Sequence, residues 1–238
     1  MEQQNPDIVL EDGRDDMQEA TAKIFSRYWW QTSGVAILLI VVVFQIFKLI
    51  PAEHTRTAGL VLGWWILIWA FLPSFAHWAF RQWHVRYGLP LQLCDISAFF
   101  TAFSLLTEDP RMFEIALYWG VTGAFHAFLT PQFTQGTQKF FQLEFYVSHA
   151  GLVLGPLFLR YIRGIEPAEW SWLMAGGWLL LLAMLVGAIN HKTASNYMFL
   201  CRPPTAKNPF VRGEWPWYLV VFAVAMVLHF LAIYAIFR

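Results

Sequence analysis

The chain has 238 residues, of which 58% are hydrophobic and 13% charged, with no net formal charge and a mean hydropathy of +0.46. Thirteen Trp and 22 Phe are too many for an ordinary soluble domain, and the charge balance excludes a nucleic-acid surface or an acidic partner. The two cysteines, Cys94 and Cys201, sit in unlike settings, which excludes a disulfide framework.

The chain opens with an acidic, polar stretch and no basic n-region before an apolar core, so no cleavable signal peptide is expected. Residues 1–15, rich in Asp, Glu and Gln, are expected to be loosely held. Met17, Thr21, Ile24, Phe25 and Tyr28 then recur at helical spacing, which predicts a short interfacial helix over 16–28. Residues 1–28 are thus read as an acidic N-terminal tail, and 29–238 as one transmembrane domain.

Seven apolar stretches follow, at 33–50, 57–80, 89–107, 113–130, 142–162, 171–190 and 215–237, each near the ~20 residues of a spanning helix. The fold class is an all-α, polytopic transmembrane helical bundle of about seven spans. Pro90 and Pro216 are placed in first turns, where a missing N–H costs nothing; Pro131 closes the fourth span. Pro73 and Pro156 fall inside spans and predict kinks. Gly59-x-x-x-Gly63 and Gly151-x-x-x-Gly155 offer close helix approach. Ten of the 16 Lys and Arg residues fall on the side of the N-terminus, so the N-terminus is expected to be cytoplasmic and the C-terminus outside.

Ionisable groups at membrane depth are costly and point to function. Counted along the spans, Cys94, His149, His126, His77, Asn190 and His191 come from five helices yet share one layer, roughly 5–12 Å inside the cytoplasmic boundary. His229 falls in the outer half of the last span, apart from them. A thiol and an imidazole are the minimum set for nucleophilic acyl chemistry. Cys94, placed about five residues into its helix, is near N–H groups that favour a thiolate. Asp95 is either a structural hydrogen-bonding group or the orienter of a histidine. His77 and His84, two turns apart, form a weak alternative as metal or haem ligands; no Cys or carboxylate completes a metal site, so none is expected.

Several segments in order carry a resemblance: Leu89-Pro90-Leu91-Gln92-Leu93-Cys94-Asp95, Tyr118-Trp119-Gly120, Leu129-Thr130-Pro131, the stretch from Phe145 to His149, Asn196-Tyr197-Met198-Phe199-Leu200 and Trp215-Pro216-Trp217-Tyr218. Over roughly residues 60–237 the chain resembles the YwaF-like family of integral membrane proteins, which includes the transmembrane protein 164 family of ether-phospholipid acyltransferase-like proteins. The resemblance implies cysteine-dependent lipid acyl transfer, with Cys94 at the nucleophile position and His149 at the family's histidine. Asp95, Gln92, His126, His77 and Asn196 are the expected supporting residues, with Gln92, His126, Ser97 and the backbone N–H groups at the helix start as candidate oxyanion donors. The fold also resembles the androgen-induced membrane hydrolases, which use a Thr/His pair. This chain departs from the family in carrying Gln132 where Asp is common and His126 where Gln is common.

The expected activity is therefore a membrane-embedded acyltransferase acting on phospholipid or lysophospholipid through a thioester, without a cofactor or metal. The alternatives are a lipid hydrolase or thioesterase using the same pair, or a non-enzymatic lipid or solute transporter. Membrane phospholipids are the expected partners, and nucleic acid is not one.

Overall fold

Backbone amides cannot find partners in hydrocarbon, so long apolar runs in a membrane become helices that satisfy them internally. The computed structural model describes residues 7–11, 19–81, 83–134 and 138–238 and contains seven such helices. They are α1 (Arg27–Phe47), α2 (Ala52–Ala79), α3 (Leu93–Thr107), α4 (Pro110–Leu129), α5 (Lys139–Tyr161), α6 (Ser171–Thr193) and α7 (Trp217–Phe237). Five of them (α1, α2, α4, α6 and α7) are long and apolar enough to cross a membrane. Their outer faces expose Leu39, Val42, Ile68, Phe75, Leu181 and Val224, a surface suited to acyl chains and not to water. The chain is an integral, multi-pass membrane protein.

α3 and α5 form the interior. α3 packs against α2, α4 and α5, while α1 leans on α5 and α7 on α4 and α6. At 15 residues, α3 is about 22 Å long, short of the ~30 Å hydrocarbon thickness. Its inward residues are small: Ser97, Ala98, Thr101, Ala102 and Ser104 are buried. Their hydroxyls bond back to carbonyls of the same helix, Ser97 to Leu93 at 2.6 Å and Thr101 to Ser97 at 2.7 Å, so neighbours can approach without stranding a polar atom. Gly155 of α5 lies directly over the Thr101 methyl, in agreement with the close approach expected of the paired glycines. α4 carries a wide turn over Ala116–Gly120, wholly buried, from which the Tyr118 hydroxyl meets Ser171 at 2.8 Å and Trp119 Nε1–H donates to Ala175 O at 3.0 Å, fastening α6.

The helix starts differ from the expected ones where a cap was overlooked. Ser26 accepts the Trp29 N–H and starts α1 at Arg27; Asp109 accepts the Arg111 and Met112 N–H groups ahead of Pro110 and starts α4. Pro90 is not in a helical turn. Gln92 is the N-cap of α3, and the Asp95 carboxylate accepts the Gln92 N–H at 3.1 Å, which makes Cys94 the second helical residue and not the fifth. Pro216 likewise precedes α7, as its N-cap. α2 and α5 continue through Pro73 and Pro156.

The interfacial helix expected over 16–28 is not formed by the described part of that segment. Glu19–Ala22 is a strand, β2, paired antiparallel with β1 (Ile8–Glu11) and with β3 (Gln132–Phe133) beyond α4; Met17 lies outside the described residues. Ala20 and Phe133 are buried where the strands meet the bundle. The described part of the tail is therefore held in a three-stranded sheet, against the expectation of a loose segment. Trp29 Nε1–H donates to Phe128 O at 2.8 Å and the Tyr28 hydroxyl to Gln142 at 2.8 Å, tying the start of α1 to α4 and α5. This end of the bundle also gathers the α2–α3, α4–α5 and α6–α7 connections, as alternating spans require. At the opposite end, Arg163 grips Glu108 and Thr55, and Arg56 donates to the Leu105 and Leu106 carbonyls.

Candidate functional site

One cavity of about 210 Å³ opens inside the N-terminal end of the bundle. It is floored by Ala70 and Pro73 of α2, walled by α3, α4, α5 and α7, and roofed by the α6–α7 loop through Met198, Phe199, Ala206 and Asn208. Its polar residues are Gln92, Cys94, Asp95, His126, Thr130, Gln132, Thr134, Glu144, Ser148, His149, Asn208 and Tyr218, with no Lys or Arg among the lining residues.

Cys94 faces this space from the first turn of α3. Its Sγ lies against Gly123 of α4, so close that a Cβ built on that glycine would stand 2.9 Å from the sulfur. The first N–H groups of a helix have no acceptor one turn earlier, so Cys94 sits where the helix favours negative charge. His149 enters from α5, buried to 9% exposure. Its Nδ1 lies 2.6 Å from the Phe145 carbonyl, which can only accept. The proton is thereby assigned to Nδ1, and the lone pair to Nε2. Phe145 and Phe128 hold the ring, at centroid distances of 4.4 and 6.3 Å. No hydrogen bond joins Cys94 to His149; they look onto the same cavity from different helices. The orienting contact on the imidazole comes from the Phe145 carbonyl, while the Asp95 carboxylate caps α3.

His126 lines the cavity from α4. Asn208 Nδ2 donates to its Nδ1 at 2.9 Å and to Thr130 Oγ1 at 3.1 Å, which leaves the His126 Nε2–H buried without a partner. His229 belongs to the same layer, contrary to the depth count. Its ring centre is 5.1 Å from that of His126, and Phe210 packs on both rings. Gln132 lines the cavity too, accepting the Ala206 N–H at 3.1 Å.

Four expected residues stand elsewhere. His77 is fully buried but stacks on Phe141 at 4.7 Å, outside the cavity lining. His84 lies beyond the end of α2, exposed, so the two histidines do not share a helix face as ligands. Asn196 fastens its own loop, accepting the Cys201 and Arg202 N–H groups at 3.0 Å. Ser97 is spent on the Leu93 carbonyl and does not line the cavity. Among the described residues no group of three or more His, Cys, Asp or Glu could hold a metal ion.

Sequence reasoning did not include Glu144 in the site, although an acid 7% exposed at membrane depth, five residues before His149, is itself a signal. Asn208 carried no local signal, since its partners are 78 and 82 residues away. Outside the membrane helices, burial pushes the Tyr197 hydroxyl up to about 12. It therefore stays protonated, donating to Val85 O at 2.8 Å while accepting the Leu89 N–H at 3.0 Å.

The family model described as the TMEM164 family matches residues 24–234, nearly the whole chain. No curated protein and no solved structure matches it.

Proposed function

This chain belongs to the TMEM164 family of integral membrane proteins, and we propose that it is a lipid acyltransferase working through a thioester on Cys94 with His149 as the base. The observation that supports this most is the joint presence, on one cavity, of a thiol in a helix first turn and an imidazole whose Nε2 lone pair is fixed by the bond at Nδ1. The pair is not yet in contact, and catalytic hydrogen bonds often tighten only with substrate bound.

In the proposed reaction, a phospholipid enters from the bilayer with its ester carbonyl beside Cys94. His149 Nε2 takes the thiol proton, and the thiolate forms a C–S bond at the carbonyl carbon while the carbonyl π electrons move to oxygen. Collapse breaks the C–O bond, and the departing lyso-lipid oxygen receives the proton from His149. A second lyso-lipid hydroxyl, deprotonated by the same nitrogen, attacks the thioester and regenerates the thiol. Leu152, Phe222 and Met226 line the same space, an apolar setting that favours a lipid hydroxyl over water as acceptor.

The test is intact-mass spectrometry of purified protein after incubation with mixed phospholipids. A hydroxylamine-sensitive acyl adduct on the wild type, absent from Cys94→Ala and His149→Ala, is the expected result. Transfer at the wild-type rate by Cys94→Ala refutes the covalent route. An adduct released to water as free fatty acid, with no lyso-lipid acceptor consumed, reassigns the protein as a hydrolase.

A further inference from the structure

We propose that the side-chain amide of Gln92 donates a hydrogen bond to the acyl carbonyl of a lipid ester held in this cavity, and that the turn over residues 196–200 serves to aim it. The inference rests on the cavity being a lipid-ester site, as in the reading above.

Gln92 is the N-cap of α3, two residues before Cys94, and lines the cavity. Its carbonyl oxygen is occupied: the Met198 N–H donates to Oε1 at 2.9 Å. An amide held by its oxygen points its NH₂ the other way, and this NH₂ has no partner among the described residues and is not among the sealed polar atoms. It is thus a fixed, free donor on the cavity wall. The other expected donors are less suited. Ser97 is committed to Leu93 O, and the His126 Nε2 is closed off from open space.

The Met198 N–H is where it is because the turn is forced into an unusual shape. Met198 and Phe199 both have left-handed backbone, φ 56° and 53°, which non-glycine residues avoid. Such strain persists only where neighbours fix it. Here Asn190, 1% exposed, clasps Tyr197 from both sides, accepting its N–H and donating to its carbonyl, each at 2.9 Å. The Tyr218 hydroxyl donates to the Phe199 carbonyl and Trp215 Nε1–H to that of Leu200. Together these fastenings place the Met198 N–H that holds Gln92. In the acyl-transfer step Gln92 would keep donating as the carbonyl oxygen gains the negative charge, the role of an oxyanion-hole donor.

The decisive experiment uses full-length protein carrying Cys94→Ala, which cannot turn over, loaded with a diacyl phosphatidylcholine labelled with ¹³C at its ester carbonyls. Isotope-edited infrared spectroscopy should show a bound ester band moved to lower frequency, and Gln92→Met in the same background should remove that band. Gln92→Ala provides the same comparison if the methionine variant does not fold. With Cys94 restored, Gln92→Met should slow thioester formation at least about 100-fold with KM within twofold. Met198→Gly keeps the N–H and relaxes the backbone, so it should retain the band, whereas Asn190→Leu should weaken the band and lower kcat. An ester band absent from the Cys94→Ala protein, or unchanged by Gln92→Met, overturns the proposal. A wild type that forms no thioester while its shifted band depends on Gln92 overturns acyl transfer instead and leaves this donor standing.

Discussion

Replacing Gly123 by alanine separates the chemistry of Cys94 from the stability of the bundle. The added Cβ would lie 2.9 Å from Sγ, against a comfortable separation of about 3.5–4.0 Å, so one of the two atoms must move by roughly 0.6–1.1 Å. The sulfur is the end of a side chain with a single torsion, and it escapes by turning to another staggered well, which carries it roughly 3 Å. A staggered well avoids the off-rotamer cost of about 0.5–1.5 kcal/mol, and alanine returns up to about 1 kcal/mol of helix propensity, so stability should barely change. Reaction geometry is far less tolerant: a misplacement of ~1 Å can cost about 100-fold. Gly123→Ala should therefore slow acyl-adduct formation on Cys94 at least about 100-fold at near-normal thermal stability. Gly155→Ala is the contrasting case. Its Cβ would run into the methyl of Thr101, a stiff, fully buried β-branched residue whose hydroxyl is already bonded, so α3 and α5 must separate and about 1–3 kcal/mol is lost. Both variants are made with Cys201→Ser, so that adduct mass reports Cys94 alone, and followed by mass spectrometry and thermal unfolding in detergent. Wild-type acylation by Gly123→Ala, or an equal loss of stability in the two variants, refutes the reasoning.

Two further outcomes concern the frame around the site. The Arg163 guanidinium, 2.6 Å from Glu108, holds that carboxyl below its ordinary 4.5. A lowered folded value means the stabilisation is present above about pH 4.5 and fades as pH falls through the folded value. The pair is partly exposed, so Glu108→Gln should lose only about 1 kcal/mol at neutral pH and respond less to acid than wild type, as thermal unfolding against pH will show. Asn208→Leu removes the donor to His126 Nδ1 and Thr130 Oγ1, after which neither His126 ring nitrogen has a partner. It should cost about 1–3 kcal/mol and raise hydrogen exchange over residues 204–211, and unchanged exchange there would refute the latch between that loop and α4.

What the sequence revealed and what it hid follow from the range of the forces involved. The spans were legible because hydrophobic length is a local property. The start of α3 was local too but masked: Pro90 drew attention to itself, while the Gln92–Asp95 pair, at N-cap and N3, sets the boundary. Reading that pair would have put Cys94 in the first turn at once. The strand at Glu19–Ala22 was masked by an accidental helical spacing, although one partner, β1, is close in sequence; the other, β3, lies more than 100 residues away and left no local signal. Depth counting failed at His229 because it treats the spans as level and parallel, whereas the His229 ring packs 5.1 Å from that of His126. Glu144 was visible as an ionisable group and was passed over because five residues is not a same-face spacing; the cavity is wide enough to meet both it and His149.

Hydrogen bonding narrows the site further than proximity does. A polar atom inside a membrane bundle must find a partner or serve a purpose that outweighs its cost. Most of the layer around the cavity is accounted for structurally: Asp95 by the cap of α3, the Asn208 amide by His126 and Thr130, Gln132 by Ala206, and Ser97 by its own helix. Subtracting these leaves a short remainder at one space: the Cys94 thiol, the unprotonated nitrogen of His149, the free amide of Gln92 and the Glu144 carboxyl, with the His126 Nε2–H sealed beside them. A structural core has no reason to leave a nucleophile, a base and a donor open to the same cavity while satisfying their neighbours. That selectivity, more than the presence of any one residue, is why acyl chemistry is the reading to test first.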